Sequence, residues 1–120
     1  MTFDRERGFE IMDFSEYQQK ASRTATYPVI GHGVIYPTLG LTNEAGEVSG
    51  KIKKIFRDKA GEIGDADKTA LAAELGDVLW YLAQVATELG LSLDEIAEKN
   101  IAKLLDRKAR DKIRGDGDDR

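Results

Sequence analysis

The chain has 120 residues, of which 41% are hydrophobic and 33% charged, a composition typical of one soluble globular domain over residues 1–120. It contains no cysteine, which excludes disulfides, thiolate zinc sites and a cysteine nucleophile. The net charge of −4 argues against general binding to a nucleic-acid backbone. Because no long apolar run or apolar N-terminal core occurs, we expect a cytoplasmic protein with no membrane or nucleic-acid partner.

Capping signals and helix-favouring composition predict four helices. In chain order, the predicted helices span about 14–24, 37–58, 68–89 and 92–113. Asp13 and Ser92 are the expected N-caps of the first and fourth helices, because a glutamate follows each of them by three residues. Residues 27–36 are predicted to form an ordered loop, and residues 1–12 and 115–120 to be flexible termini.

The second and third helices carry apolar residues at the spacing that places them on one face of a helix. A short connection between these helices predicts an antiparallel pair at the centre of an all-α, four-helix-bundle-like fold. The third helix is also apolar outside its stripe, at Leu79, Trp80 and Ala83, so we expect it to be covered by a subunit interface in a homodimer or homotetramer. Its stripe consists of Leu71, Leu75, Val78, Leu82, Val85 and Leu89.

One motif occurs twice, as EAGEV at residues 44–48 of the second helix and as ELGDV at residues 74–78 of the third. At about 100° per residue, the acids of both pairs lie at the same angle to the apolar stripe. Gly46 and Gly76 face a third side, where they are expected to permit close packing of helices. When the two helices pack antiparallel, four carboxylates are expected to converge, those of Glu44, Glu47, Glu74 and Asp77.

Converged carboxylates repel one another unless they are protonated or bind a cation. Oxygen ligands favour Mg²⁺, with Mn²⁺ as a substitute, whereas di-iron bundles place a histidine where this chain has Glu47 and Asp77. Such a metal-loaded group is suited to hydrolysis of a triphosphate, because it neutralises phosphate charge and a free acid accepts the proton of the attacking water. The ordinary alternative is that each acidic pair only makes its helix soluble, but the match of two pairs beside one seam favours a metal site.

Cations and one aromatic residue near these acids are candidates for substrate binding. Basic residues on one face of the fourth helix can bind phosphate, although near a helix C-terminus they also stabilise the helix dipole. Trp80 is expected at the subunit interface, and the single histidine, His32, is expected to be structural or solvated. The substrate-binding candidates are Asn100, Lys103, Arg107, Lys51 and Lys54 for phosphate and Tyr81 for the sugar or base.

Over residues 37–110 the chain resembles MazG-like nucleoside triphosphate pyrophosphohydrolases, whose signature is Glu-Glu-x-x-Glu followed by Glu-x-x-Asp. The sequence at 43–47 matches the first half except for Asn43, 74–77 matches the second half, and 26 residues separate the halves. Asn43 does not occupy a metal-ligand position of the family, so this departure bears on the surroundings of the metal and on substrate choice. The resemblance implies that the metal ligands are Glu44, Glu47, Glu74 and Asp77, and that residues 100–104 contact phosphate.

The resemblance also implies Mg²⁺-dependent hydrolysis of nucleoside or deoxynucleoside triphosphates to monophosphate and pyrophosphate, by an oligomer that cleans the nucleotide pool. One alternative is a dUTPase-like or phosphoribosyl-ATP pyrophosphohydrolase of the same superfamily, which the motif does not distinguish. Another is a non-catalytic oligomeric helical module that binds nucleotide or a partner. Glu47→Gln or Asp77→Asn distinguishes this last alternative, because only an enzyme would lose turnover.

Overall fold

The protein consists of a short hairpin followed by four helices, as seen in a computed structural model that describes residues 2–110. The elements are β1 Thr2–Asp4, β2 Phe9–Ile11, α1 Phe14–Ser22, α2 Ile35–Asp58, α3 Asp65–Glu88 and α4 Leu93–Ala109. The predicted all-α class with four helices is therefore confirmed. The predicted end of the fourth helix near residue 113 and the tail at 115–120 lie outside the described residues.

The hairpin of β1 and β2 is the element that the sequence analysis did not predict. Its two strands pair antiparallel, with Phe3 opposite Glu10 along the backbone. The carboxylate of Asp4 closes the turn by accepting the backbone N–H groups of Glu6 and Arg7 at 3.0 and 3.1 Å. The expected flexibility of residues 1–12 stays a prediction.

Side-chain caps fix the starts of three helices. Asp13 accepts the backbone N–H of Glu16 at 2.8 Å and Ser92 accepts that of Glu95 at 3.3 Å, which confirms both predicted N-caps. Helix α3 begins three residues earlier than predicted, at Asp65. There the carboxylate of Asp67 accepts the backbone N–H of Gly64 at 3.0 Å and stabilises one more turn.

The start of α2 lies two residues before the predicted one, so that Pro37 falls within the first helical turn, where it needs no N–H donor. The single histidine lies just ahead of the helix. His32 is exposed, and its Nδ1 accepts the backbone N–H of Val34 at 3.0 Å. This contact assigns His32 the structural role that the sequence analysis expected.

Helices α2 and α3 form the main contact of the fold and run antiparallel, as predicted. Gly33 lies against Glu88, Gly40 lies against Tyr81, and Lys51 pairs with Glu74, so residues that ascend along α2 meet residues that descend along α3. In this register the buried Pro37 comes opposite the buried Gln84. The seam between the two helices therefore extends over several turns and positions the acidic motifs next to each other.

The predicted stripe of α3 is buried only in part, because Leu71, Val78 and Val85 are half-buried and its other three members are exposed. Leu75 is 56% exposed, and Leu82 and Leu89 are also exposed. The most buried residues of α3 are Ala83, Gln84 and Ala86, and α1 packs closely on the two alanines through Ala21. The expected subunit interface over the exposed leucines stays a prediction.

The connection between α1 and α2 crosses α3 and is held there by side chains. Trp80 donates from Nε1 to Thr24 at 2.8 Å, and the hydroxyl of Tyr27 donates to Glu88 at 2.6 Å. Tyr27 also stacks on Tyr36, with ring centroids 5.6 Å apart. Trp80, which was expected at a subunit interface, is thus contacted by the chain's own connection.

Helix α4 packs mainly against α1. The link between them is Gln18, whose amide donates to the carbonyl of Leu91 at 2.8 Å and accepts the backbone N–H of Leu93 at 2.9 Å. Gln18 therefore fixes the turn from α3 into α4. Within residues 2–110, no helix combines the length and apolarity that a bilayer crossing requires.

Candidate active site

Three of the predicted carboxylates come together at the α2–α3 seam. One oxygen each from Glu44 of α2 and from Glu74 and Asp77 of α3 lie within 4.8 Å of one another. The spacing i, i+3 places both α3 acids on one face, and the antiparallel register brings Glu44 opposite them. We call Glu44, Glu74 and Asp77 the carboxylate triad.

The carboxylates of the triad lie close enough for their negative charges to repel one another. Burial raises the pKa of Glu44 above its ordinary value, and the hydrogen bond with Glu74 and the negative charges of Asp77, Glu74 and Glu47 raise it further. Glu44 and Glu74 are half-buried and Asp77 is exposed, so the triad is open to solvent on one side. A ligand can therefore reach the triad from solvent.

The structure does not place Glu47 in the triad. Its side chain is exposed and lines a shallow pocket on the outer side of α2, together with Asn43, Lys51 and Lys54. Glu47 is still close enough for its charge to raise the pKa of Glu44. Glu47 therefore lies at the edge of the site rather than at its centre.

A lysine already contacts the triad. The ammonium of Lys51 lies 3.6 Å from a carboxylate oxygen of Glu74. Lys51 and Lys54 also line both the pocket beside Glu47 and a neighbouring groove between α2 and α3 that includes Lys59. The predicted phosphate-binding lysines thus adjoin the acids, and the groove beyond them also contains Asp67, which pairs with Lys59 at 2.7 Å.

Tyrosines flank the triad on its other side. Burial raises the pKa of Tyr81, and Tyr36, Glu44 and Asp77 raise it further through their charges. Burial and the charge of Asp77 likewise raise the pKa of Tyr17 in α1. Both phenols therefore stay protonated and can donate hydrogen bonds. Tyr81 was predicted from the sequence, whereas Tyr17 and Tyr36 were not. Tyr17 lies on another helix, and Tyr36 was assigned to the loop at 27–36 although it belongs to the first turn of α2.

Comparison with known proteins identifies the family. The MazG nucleotide pyrophosphohydrolase domain matches residues 37–110, which include the triad, Glu47 and Tyr81. The chain belongs to the MazG family. It is also 48% identical over 109 residues to the Gene 37 protein of Mycobacterium phage L5, an alignment that covers 87% of this chain and 96% of that protein. No solved structure matches the chain.

Membership of the MazG family confirms the resemblance seen in the sequence and supports nucleotide pyrophosphohydrolase activity in general. MazG enzymes depend on divalent metal ions, and the triad is the carboxylate cluster with which such an ion fits. The donor set of the triad consists only of carboxylate oxygens, which suits a hard cation. The raised pKa of Glu44 points the same way, because a cation would relieve the repulsion that causes part of that shift.

The candidates on α4 lie elsewhere in this MazG domain. Asn100 lines an apolar groove with Phe14, Leu79 and Leu82, formed where α1, α3 and α4 meet. Lys103 is half-buried on α4, and Arg107 is only 3% exposed. Because α4 packs mainly on α1, the structure does not bring these residues into the α2–α3 seam, and their contact with phosphate stays a prediction.

Proposed function

We propose that the protein hydrolyses nucleoside triphosphates, deoxynucleotides in particular, to the monophosphate and pyrophosphate with Mg²⁺ as cofactor and Mn²⁺ as a substitute. The carboxylate triad within a MazG domain is the observation that carries this proposal. Such a reaction removes surplus or damaged nucleotides, so a role in cleaning the nucleotide pool follows from it.

The proposed ligands of the cation are the three acids of the triad, with Glu47 as a fourth. Glu47 follows Glu44 by one turn of α2, and its charge acts on Glu44. To bind the cation, the flexible side chain of Glu47 would rotate towards the α2–α3 seam. The bound cation would neutralise charge on the phosphate oxygens and orient the attacking water.

The chain's own residues have distinct proposed roles around the triphosphate. An acid of the site that is not fully engaged accepts the proton of the attacking water. Lys51 compensates Glu74 before substrate arrives, and it binds phosphate together with Lys54 afterwards. Tyr81 contacts the sugar or base from the far side of the triad. The proposal also retains phosphate contacts from Asn100, Lys103 and Arg107. They share one face of α4, and for Asn100 and Lys103 the resemblance supports the same role.

We also propose that the working form is a homodimer or homotetramer. Large apolar side chains on α3 and α4 are exposed, among them Leu75, Ile101 and Leu105. A second copy of the chain would remove these surfaces from water. Light scattering on the purified protein tests this proposal, and a strictly monomeric species at micromolar concentration would contradict it.

The experiment that tests the function is a measurement of pyrophosphate release from a panel of canonical and modified NTPs and dNTPs. Release is expected with Mg²⁺, and it should stop with EDTA or in the Glu74→Gln variant. Asp58→Asn is the matched control, because Asp58 is an acid of the same seam region that pairs with Arg57 at 2.6 and 2.8 Å. A folded protein that releases no pyrophosphate from any nucleotide would contradict the proposal.

A further inference from the structure

Gly40 lies in the interior of α2, where glycine is less favourable than alanine. The structure gives a reason for its presence. A Cβ atom at this position would overlap the ring of Tyr81, with ring atoms Cδ1 and Cζ only 2.5 Å away. Ordinary contact between carbon atoms needs about 3.5 Å or more. The ring of Tyr81 therefore occupies the space that any other residue at 40 would fill.

The contact lies next to the triad on both helices. Gly40 precedes Glu44 by one turn of α2, and Tyr81 follows Asp77 by one turn of α3. On another side the ring of Tyr81 meets Trp80 edge-on, with centroids 5.0 Å apart. Trp80 is in turn fixed by its bond to Thr24, so it leaves the ring of Tyr81 little freedom to move away.

A side chain at residue 40 would therefore displace the ring of Tyr81 by about 1 Å. The remaining groups that act on the hydroxyl of Tyr81 are Tyr36 and two members of the triad, Glu44 and Asp77. Displacement towards them would narrow the space beside the acids. When the phosphates bind at the triad and Lys51, the nucleoside part of the substrate lies on the side of Tyr81.

We infer that Gly40 is a positioning residue, which sets the depth of the Tyr81 ring and thereby the room for the sugar and base. The inference rests on the proposed function. It adds that the sugar and base of the substrate bind at the end of the α2–α3 seam where Tyr81 lies. Gly40 itself contacts no substrate and acts only through Tyr81.

The test is a comparison of Gly40→Ala with the unsubstituted protein in pyrophosphate release. The expected result is a rise in KM for the nucleoside triphosphate of about tenfold, with kcat and the Mg²⁺ requirement nearly unchanged, because the triad is not altered. An unchanged KM in Gly40→Ala would overturn the inference. Gly76→Ala is the matched control: it also replaces a mid-helix glycine, but a Cβ there meets nothing within 4 Å.

The same substitution in a Tyr81→Ala background shows whether Gly40 acts through the ring. Without the ring, Gly40→Ala should leave KM as in Tyr81→Ala. It should also raise the melting temperature, as is expected of Gly76→Ala, because alanine favours a helix interior over glycine. An equal KM defect from Gly40→Ala in both backgrounds would overturn the inference. If Gly40→Ala alone does not fold, the same comparison between Tyr81→Ala and the double variant still decides it.

The KM values and the melting temperatures distinguish a failure of the proposed function from a failure of this inference. An inactive unsubstituted protein would overturn the proposed function and, with it, the substrate part of this inference. The melting temperatures report the contact of Gly40 with Tyr81 in either case. An active enzyme in which Gly40→Ala leaves KM unchanged would overturn this inference and leave the proposed function standing.

Discussion

The acidic pairs of α2 and α3 have nearly the same sequence but different surroundings. Helix α3 lies between α2 on one side and α1 on another, so Glu74 and Asp77 both face neighbouring elements. Helix α2 has α3 along its seam, and beyond that seam Glu47 is exposed and Gly46 faces open space. The same motif therefore gives two central acids on one helix and one central acid on the other. The position of an acid depends on how many neighbours its helix has as well as on its angle around the helix.

The largest effects are expected from the two acids of α3. Glu74→Gln and Asp77→Asn should each lower kcat/KM on the order of 10³-fold, which corresponds to about 4 kcal/mol of transition-state stabilisation. Each removes a charge from the centre of the proposed metal site. Steady-state pyrophosphate release at saturating Mg²⁺ measures this, with Asp65→Asn in the first turn of α3 as the control. Near-normal turnover in either triad variant would contradict the metal site.

A smaller loss is expected from Glu47 than from Glu44. Glu47→Gln should reduce turnover about 10–100-fold and raise the Mg²⁺ concentration needed for half-maximal activity, because this acid lies at the edge of the site. Glu44→Gln should match the α3 variants. Equal losses from Glu44→Gln and Glu47→Gln, measured in one Mg²⁺ titration, would mean that the two pairs are equivalent when the enzyme works.

A moderate effect on stability is expected from the raised pKa of Glu44. Its ordinary value is 4.5 and its value in the folded protein is higher, so the folded state holds this proton more tightly than the unfolded state. The free energy of unfolding should therefore fall as pH rises above 4.5 in EDTA. At pH 7, Glu44→Gln should raise the melting temperature by about 2–4 °C, and this gain should vanish below pH 4.5.

Circular dichroism melts across this pH range measure the effect, with Glu62→Gln in the α2–α3 connection as the control. A gain of the same size at every pH would show that charge repulsion is not its cause. Mg²⁺ should stabilise the unsubstituted protein and have little effect on Glu44→Gln.

The smallest effect is expected from the lysine that pairs with the triad. The ion pair of Lys51 with Glu74 is partly exposed, so Lys51→Met should cost less than about 1 kcal/mol in EDTA. Saturating Mg²⁺ should remove this cost, because the cation takes over the compensation of Glu74. Lys54→Met, which lacks that ion pair, should not alter stability in EDTA. A cost of Lys51→Met that persists with Mg²⁺ would assign Lys51 a purely structural role.

Much of the fold could be predicted because its signals are local. The caps at Asp13 and Ser92 and the antiparallel α2–α3 pair follow from neighbouring residues and from a short connection. The hairpin could not, because its strands are only three residues long and are closed by the side chain of Asp4. Short elements of this kind leave too few residues for a periodic pattern.

The most buried positions of α3 were not predictable from hydrophobicity, because two are the small residues on which α1 packs and the third, Gln84, is polar yet only 1% exposed. Ala83 and Ala86 contact α1, whereas the larger Leu75 is exposed. The same limit applies to the glycines. Gly46 and Gly76 were expected to permit close packing, yet within the chain both face open space, and the close approach occurs at Gly40.

The candidate site, like the fold, was predictable only where its geometry depends on a single helix. The i, i+3 spacing of Glu74 and Asp77 depends on one helix alone, so their shared face followed from the sequence. The place of Tyr17 depends on how α1 packs on α3, which no spacing encodes, and that of Tyr36 depends on α2 starting at Ile35, before the predicted start. The exposed position of Glu47 likewise depends on the packing of α2, and its binding to metal stays a prediction.

The two hydrogen bonds of Gln18 to the turn between α3 and α4 bear on which contacts can form early during translation. Gln18 leaves the ribosome early, but its partner Leu93 follows 75 residues later. Helices α2 and α3 are joined by a short connection, and α1 meets α3 through Ala21, Ala83 and Ala86, so none of these contacts depends on α4. The bonds of Gln18 to Leu91 and Leu93 require the turn into α4 to have been synthesised, so the docking of α4 completes the contacts of α1.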